Sequence, residues 1–169
     1  MHYGAALIAI GLGLGASTAA HADEVTPTGG LGVGWVAERG MGFSTFDGVL
    51  ISGFAGARLT HRLAVLGRVG YASGEVGGEP VLAPMSPTHQ QKIMLVPSLR
   101  YGRVVWLEVG GGYQARWGAG TINGSDGEIQ VQASVGAALV PSWAVSPELS
   151  VGGMISPMFT GWVAVGARY

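Results

Sequence analysis

Apolar and polar residues alternate along most of this chain, beginning near Gly29. A repeat of two places successive side chains on opposite faces, which is the pattern of a β-strand with one apolar face. Each alternating segment has nine or more residues, whereas strands of soluble proteins average about five or six. Strands of about 9–11 residues cross a bilayer when they are tilted. The predicted strands are Gly30–Glu38, Gly48–Leu59, Leu63–Ser73, Lys92–Tyr101, Val104–Trp117, Glu128–Leu139, Trp143–Gly152 and Phe159–Tyr169.

The two faces of these predicted strands differ in chemistry. One face is aliphatic with aromatic ends, and the other carries glycine and most of the charged and amide side chains. A soluble sandwich would turn the apolar face inward, whereas a membrane barrel would turn it outward. Only 11% of the residues are charged, compared with about a quarter in average proteins, and 31 are glycine. So few charges would be unusual for a soluble exterior, and the sequence therefore favours lipid outside.

Short and long connections alternate between the predicted strands. Short turns on one side and longer loops on the other are typical of outer-membrane barrels, whose turns lie in the periplasm. Closure is required because an open sheet edge in lipid leaves backbone groups unpaired. We therefore predict an all-β fold, an eight-stranded antiparallel transmembrane β-barrel. The short connections are Thr60–Arg62, Gly102–Arg103 and Val140–Ser142. The others are mostly longer, at Arg39–Asp47, Gly74–Gln91 and Gly118–Gly127, with a shorter one near Gly153–Met158.

The N-terminal residues have the features of an export signal. Ala5–Ala16 is an apolar run of 12 residues, too short for a spanning helix of about 20. Ala20-His21-Ala22 matches the pattern of a signal-peptide cleavage site, although no Lys or Arg precedes the apolar run. We predict a signal peptide over residues 1–22, a short periplasmic segment over 23–28 and the barrel over 29–169.

The C-terminal segment Phe159–Tyr169 alternates apolar residues and ends on an aromatic residue. Together with the eight strands, it resembles the small eight-stranded outer-membrane barrels of the OmpA-like and OmpX-like group, which includes the opacity-type porin-family proteins. The resemblance implies export and residence in the lipid of the outer membrane of a Gram-negative bacterium. It also implies that the barrel-assembly machinery reads the last strand, with Tyr169 as the assembly signal. Ala164 and Ala167 depart from the family pattern, which often has Gly and a larger apolar residue there.

The sequence offers no constellation for catalysis or metal binding. It has no cysteine, and its net charge of −1 argues against a nucleic-acid surface. His61 falls in a predicted turn and His89 in the longest predicted loop. The lipid A deacylases resemble this topology but use a His-x-Ser motif, which neither histidine has. We therefore expect no enzyme activity, no cofactor and no metal site.

Charged residues on the polar face predict a network inside the barrel. Counted from the short turns, Arg68, Glu108 and Glu148 lie at similar depth. A buried charge is costly unless it is paired, so we expect Arg68 to pair with Glu108, Glu148 or both. Gln132 and Ser134 are expected to supply neighbouring hydrogen bonds. Three further arginines are predicted to form a second layer nearer the periplasm: Arg58, Arg100 and Arg168.

These patterns predict a barrel with a polar, plugged interior and a structural or surface-interaction role. The loop Gly74–Gln91 holds Pro80, Pro84 and Pro87 and is the candidate contact for a surface ligand. Three alternatives remain open: a narrow pore, a lipid-modifying outer-membrane enzyme, and a soluble lipocalin-like binder with its apolar face inward. An eight-stranded barrel is roughly filled by its own side chains, which disfavours the pore.

Overall fold

The computed structural model describes residues 25–39, 44–78, 88–118, 125–155 and 159–169. These residues form eight antiparallel strands, and the last strand pairs with the first, so the sheet closes into a barrel. Within these ranges no helix is long and apolar enough to cross a membrane. The strands are β1 Thr26–Arg39, β2 Ser44–Arg58, β3 Leu63–Gly78, β4 Thr88–Gly102, β5 Val105–Gly118, β6 Ser125–Ala138, β7 Ser146–Ile155 and β8 Phe159–Arg168.

The alternation of apolar and polar residues maps onto the outside and the inside of the barrel. Outward side chains are mostly aliphatic, and Leu31 and Ile129 keep 74% and 80% of their accessible surface. Many inward side chains are polar, and Glu108 and Gln130 keep only 0% and 1%. This arrangement is the reverse of a soluble protein, which places its apolar side chains inside. The alternative of a soluble binder with its apolar face turned inward is therefore wrong.

The register of the strands sets the width of the barrel. The displacement can be measured by stepping from each residue to its partner on the next strand, starting at Gly34 on β1. Stepping through β2, β3, β4 and β5 arrives on β6 at Asp126, whereas stepping the other way through β8 and β7 arrives on β6 at Gly136. Closure therefore displaces the register by ten residues, from Asp126 to Gly136. Such a displacement makes the strands tilt, typically by about 35–45°. The interior of an eight-stranded barrel is then narrow enough for side chains to fill it.

The termini distinguish the two rims of the barrel. We call the rim with Val25, Tyr169 and the connections 59–62, 103–104 and 139–145 the terminal end. The opposite rim, the loop end, carries the connections 40–43, 79–87, 119–124 and 156–158, which lie outside the described residues. At the terminal end, the Tyr169 N–H donates to the Gly29 carbonyl at 3.0 Å and the Gly29 N–H donates back at 3.4 Å. These bonds close the seam between β1 and β8.

Several strands extend further toward the loop end than the sequence predicted. β2 begins at Ser44 rather than Gly48, β3 continues to Gly78, and β4 already begins at Thr88. The strands extend because each residue finds a backbone partner on its neighbour, and Asp47, for example, pairs with Glu75. Both ends of the predicted loop 74–91 therefore belong to strands, and only residues 79–87 connect β3 to β4.

At the terminal end two boundaries differ from the prediction. β1 begins at Thr26, inside the segment 23–28 that was predicted to precede the barrel. β7 begins at Ser146 rather than Trp143, because the Trp143 N–H donates to the Val140 carbonyl at 3.1 Å and forms a local turn. The connection 139–145 thus has seven residues, whereas 156–158 at the loop end has three. The expected tight turn at Val140–Ser142 is therefore wrong, whereas the connection near Gly153–Met158 was expected to be the shorter one at its rim.

The tight connection between β4 and β5 depends on Gly102. Its φ is +111°, a conformation that is strained for any residue with a Cβ. A Cβ at this position would lie 2.1 Å from the carbonyl oxygen of Val105. The Gly102 N–H also donates to the Arg62 carbonyl at 2.7 Å, which ties this connection to the one between β2 and β3. Glycine is therefore required at this turn.

The substitution Gly102→Ala should destabilise the barrel by about 1–3 kcal/mol, because it adds backbone strain and a clash with Val105. The midpoint of urea unfolding in detergent micelles measures the loss. Gly67→Ala is the matched control, since a Cβ there meets only the Ala55 carbonyl oxygen, at 3.9 Å. Equal midpoints for the two variants would show that the turn tolerates a Cβ.

Candidate functional site

The inward side chains form three layers along the barrel axis. An ionic cluster lies toward each rim, and an apolar layer separates the two. The cluster nearer the terminal end, which we call the terminal-end cluster, comprises Arg68, Arg100, Glu108, Glu148 and Arg168. The cluster nearer the loop end, which we call the loop-end cluster, comprises Glu38, Lys92, Arg116 and Glu128. The apolar layer comprises Val36, Leu50, Ala72, Met94, Met154, Trp162 and Ala164.

Glu108 is the centre of the terminal-end cluster. Arg68 donates two hydrogen bonds to its carboxylate, from Nε to Oε1 at 3.0 Å and from Nη2 to Oε2 at 2.9 Å. Arg100 Nε donates to Oε2 at 3.0 Å, and the Ser98 hydroxyl donates to Oε1 at 2.9 Å. Among the described carboxylates, only that of Glu108 lies within 4.0 Å of Arg68. One fully buried carboxylate is therefore neutralised by two guanidinium groups.

Arg100 connects Glu108 to the second carboxylate of this cluster. Its Nη1 lies 3.7 Å from Glu148 Oε2, and Arg168 Nε lies 4.0 Å from the same oxygen. Arg168 also donates a hydrogen bond to the backbone carbonyl of Arg103. The prediction that Arg100 belongs to a separate, more periplasmic layer is wrong. Arg100 and Glu108 are direct partners in the β4–β5 register, and this places their side chains side by side.

Three other predicted members of the network make no ion pair or hydrogen bond with Glu108. Arg58 is half-buried near the terminal end, and no described carboxylate lies within 4.0 Å of it. Gln132 and Ser134 are buried, but Gln132 Nε2 and Ser134 Oγ make no hydrogen bond to the described residues. The hydroxyl that bonds Glu108 belongs instead to Ser98 on β4. Although Ser134 is opposite Glu108 in the β5–β6 register, the neighbouring hydrogen bonds predicted for Gln132 and Ser134 are therefore wrong.

Aromatic rings cover the arginines of the terminal-end cluster. The Arg100 guanidinium carbon lies 3.9 Å from the ring centroid of Trp106 and 4.3 Å from that of Phe54. Arg68 lies 5.2 Å from the Phe54 centroid. A cation within about 6 Å of an aromatic face is attracted to it, most strongly where water is excluded. Trp106 is itself buried inside the barrel, near the terminal end of β5.

The loop-end cluster was not predicted from the sequence. Lys92 Nζ lies 2.5 Å from Glu38 Oε2, and the Thr160 hydroxyl donates to the same oxygen at 2.9 Å. Arg116 Nη2 lies 3.0 Å from Glu128 Oε2, and Arg116 Nη1 lies 3.7 Å from Glu38 Oε1. The sequence did indicate this cluster, because all four charged residues fall on the polar face of the predicted strands, which is the face that points into the barrel. They lie at or near the ends of the predicted segments, beyond which the strands continue.

The centre of the lumen is mainly apolar, with Gln132 beside Met154, so the prediction of a polar plug holds mainly for its two flanks. Val36, Met154 and Trp162 are buried in this layer and share their parity with the charged residues above and below them. A cavity of about 20 Å³ remains beside Trp162 and Gln132, which is room for about one water molecule. Packing of apolar side chains therefore blocks the lumen between the two ionic clusters.

The two candidate histidines lie near opposite rims. His61 is exposed in the connection between β2 and β3, and His89 is exposed on β4. His89 Nε2 lies 3.0 Å from Ser73 Oγ, and Glu75 is opposite His89 in the register. No described carboxylate lies within 4.0 Å of the His89 ring, so this pair lacks the third group that orients a catalytic base. In the described part of the chain, no group of three His, Asp or Glu side chains could hold a metal ion.

Comparison with known proteins identifies relatives of the fold alone. No family model and no curated protein matches the sequence. Ail of Yersinia pestis, solved with the heparin analogue sucrose octasulfate, is 14% identical with a TM-score of 0.54, and the match covers 86% of this chain and 99% of Ail. Neisserial surface protein A is 12% identical with a TM-score of 0.55, with coverage of 86% and 98%. OprG from Pseudomonas aeruginosa is 8% identical with a TM-score of 0.54, with coverage of 87% and 98%.

These structures share the architecture described above at low sequence identity. The fold of this chain is that of the small outer-membrane barrels, and its eight antiparallel strands close as predicted. The predicted fold class and the resemblance to this group are confirmed.

The substitution Glu108→Gln should strongly destabilise the folded barrel, because it leaves Arg68 and Arg100 without the carboxylate that neutralises them. Removing one partner of a buried ion pair typically costs about 3–5 kcal/mol. Urea unfolding in detergent micelles measures this loss. Glu75→Gln, at an exposed position on β3, is the control and should change stability by less than about 0.5 kcal/mol. Small and equal effects would mean that water solvates the terminal-end cluster.

Proposed function

We propose that this protein is an integral outer-membrane β-barrel protein with a structural or surface-interaction role and no catalytic activity. The observation that carries the proposal is the aliphatic outer surface, which surrounds a set of buried charges. All eight strands contribute exposed aliphatic side chains, so the apolar surface encircles the barrel. A partner protein would cover one patch, whereas lipid covers the whole circumference.

The height of the apolar surface suits a bilayer. The shortest strands, β7 and β8, have ten residues each. At about 3.3 Å per residue and a tilt of about 35–45°, ten residues rise about 25 Å, which is the height of the apolar band of outer-membrane barrels. Aromatic side chains suit the two interfaces of such a band. Exposed aromatic residues near the terminal end are Tyr101, Trp143 and Tyr169, and those near the loop end are Trp117 and Phe159.

The proposed location is the outer membrane of a Gram-negative bacterium, reached after removal of a signal peptide over residues 1–22. These residues lie outside the described ones, and the proposal depends on the cleavage pattern Ala20-His21-Ala22. Export brings the chain to the periplasm, and the terminal end then faces that compartment. The loop end faces the cell exterior.

The alternatives of a pore and a lipid-modifying enzyme have less support. A pore needs a water-filled path, and the apolar layer around Val36 and Met154 occupies the lumen where that path would run. An enzyme needs an oriented base, and the described part of the chain supplies none for the pair Ser73–His89. Both observations favour a closed barrel that acts through its surfaces.

A surface ligand of this barrel would meet the loop end, where residues 79–87 join β3 to β4. Ail is solved with a sulfated sugar, which is a polyanion. The loop end of this chain presents exposed carboxylates at Asp47 and Glu75, with Arg39 as the exposed cation. A polyanion would be repelled by these carboxylates, so we propose that any partner of the predicted loop is neutral or cationic.

Cell fractionation together with gel mobility tests the membrane proposal. The protein expressed in a Gram-negative host should sediment with the outer membrane and resist extraction by alkaline carbonate. The folded barrel should migrate faster than the boiled protein in a detergent gel, because closed barrels resist unfolding at room temperature. Recovery of the folded protein in the soluble periplasmic fraction without detergent would overturn the proposal.

We propose further that the barrel-assembly machinery recognises the last strand through Tyr169. Deleting Tyr169 removes the terminal aromatic ring and its backbone hydrogen bonds to Gly29 at the seam. We expect a several-fold lower level in the outer membrane with unchanged export, as measured by quantitative blotting of fractions. Tyr169→Phe keeps the ring and the backbone and should assemble normally. Normal assembly of the deletion variant would contradict this role.

A further inference from the structure

The terminal end carries an excess of positive charge. Its described carboxylate side chains are Glu108 and Glu148, and both are engaged inside the lumen by arginines of the terminal-end cluster. No described carboxylate lies within 4.0 Å of Arg62 or Arg103, which are exposed at this rim. Six of the nine Lys and Arg residues of the chain belong to this half of the barrel: Arg58, Arg62, Arg68, Arg100, Arg103 and Arg168.

Arg62 and Arg103 line an open groove of about 330 Å³ at the terminal end. The groove lies between the β2–β3 and β4–β5 connections, and its other lining residues are His61, Tyr101, Gly102 and Val105. Backbone bonds hold the two connections together, since the Gly102 N–H donates to the Arg62 carbonyl at 2.7 Å. The groove is therefore formed before any ligand arrives, which lowers the entropy cost of binding.

Two local contacts hold Arg62 at this groove, one to its backbone and one to its side chain. The Thr60 hydroxyl accepts hydrogen bonds from the backbone N–H of Arg62 at 3.2 Å and of Leu63 at 3.0 Å, which fixes the turn. Arg62 Nη1 donates to the Tyr101 hydroxyl at 3.4 Å. This hydrogen bond raises the pKa of the Arg62 guanidinium, which is charged at physiological pH in any case. Its remaining N–H groups are available to a ligand.

The groove borders the apolar surface of the barrel. Tyr101 and Val105 line it, and their side chains are 56% and 65% exposed on the outward face. If the outward face lies in lipid, as proposed above, the groove lies at the depth where aromatic rims meet lipid headgroups. Cations at this depth meet the phosphate groups of the leaflet on the terminal side.

We propose that this groove binds the phosphodiester of an anionic phospholipid, with Arg62 and Arg103 donating to the phosphate oxygens and Tyr101 and Val105 contacting the adjoining chains. Arginine suits this role because its planar N–H groups match phosphate geometry. A zwitterionic headgroup carries a cation of its own, which the two arginines of the groove would repel. An anionic headgroup carries no cation and is therefore preferred. The inference depends on the proposed membrane insertion.

A lipid titration tests the site. The barrel refolded in neutral maltoside micelles is titrated with phosphatidylglycerol and, separately, with phosphatidylcholine of the same chain length, while the amide NMR signal of Gly102 is followed. We expect saturable shifts with phosphatidylglycerol and at least tenfold weaker binding of phosphatidylcholine. The double substitution Arg62→Gln with Arg103→Gln should weaken phosphatidylglycerol binding at least tenfold. Arg39→Gln removes an exposed arginine near the loop end and should leave it unchanged.

The possible results distinguish a failure of the proposed phosphate site from a failure of the membrane proposal. Equal binding of the two lipids, or a loss in Arg39→Gln as large as in the double variant, overturns the phosphate site. Inorganic phosphate that shifts the Gly102 signal as effectively as phosphatidylglycerol also overturns it, because the ligand would then be a soluble anion. In each of these cases, a barrel that still shows the gel-mobility shift leaves the membrane proposal intact. A barrel that folds and stays in solution without detergent overturns both.

Discussion

The rest of the structure depends on one constraint, that no strand edge may be left unpaired, and the hydrogen bonds between β1 and β8 satisfy it. If the apolar exterior lies in lipid, as proposed, no water is available to the backbone there, so every N–H and C=O must find its partner within the sheet. Eight strands meet this condition by closing with a displacement of ten residues. The resulting lumen is narrow, and its inward side chains must fill it and neutralise one another.

Each ionic cluster meets the demand for neutrality in its own way. The loop-end cluster contains two cations and two carboxylates and is balanced. The terminal-end cluster contains three arginines and two glutamates, and its surplus charge is carried by Arg168, which lies nearest the rim and donates to the Arg103 carbonyl. The apolar layer keeps the two clusters apart, so each must be neutralised locally.

The fold could be predicted from the sequence because a period of two, held over eight segments, leaves few alternatives to a closed barrel. The register could not be predicted in the same way. Counting residues from a turn depends on where the turn is centred. The count took Gly102 and Arg103 as the β4–β5 turn, whereas the register pairs Gly102 with Trp106 and centres the hairpin on Val104. The count therefore placed Arg100 below Glu108, although the two are direct partners. Similarly, Glu38 on β1 and Lys92 on β4 belong to strands that are not neighbours in the sheet, and only the closed lumen brings their side chains together.

The ionic clusters also select the register, which the aliphatic exterior cannot do. A slip of one residue would turn every apolar side chain inward and is excluded by burial alone. A slip of two residues between β4 and β5 would keep all apolar side chains outside but would place Glu108 opposite Ser98 or Gly102 instead of Arg100. The carboxylate would then lose its direct cross-strand partner at a fully buried position, and such a loss is far more costly than any change on the outer face. Buried ion pairs often add little net stability over apolar packing. In this barrel their physical effect is to make one register much better than its neighbours two residues away.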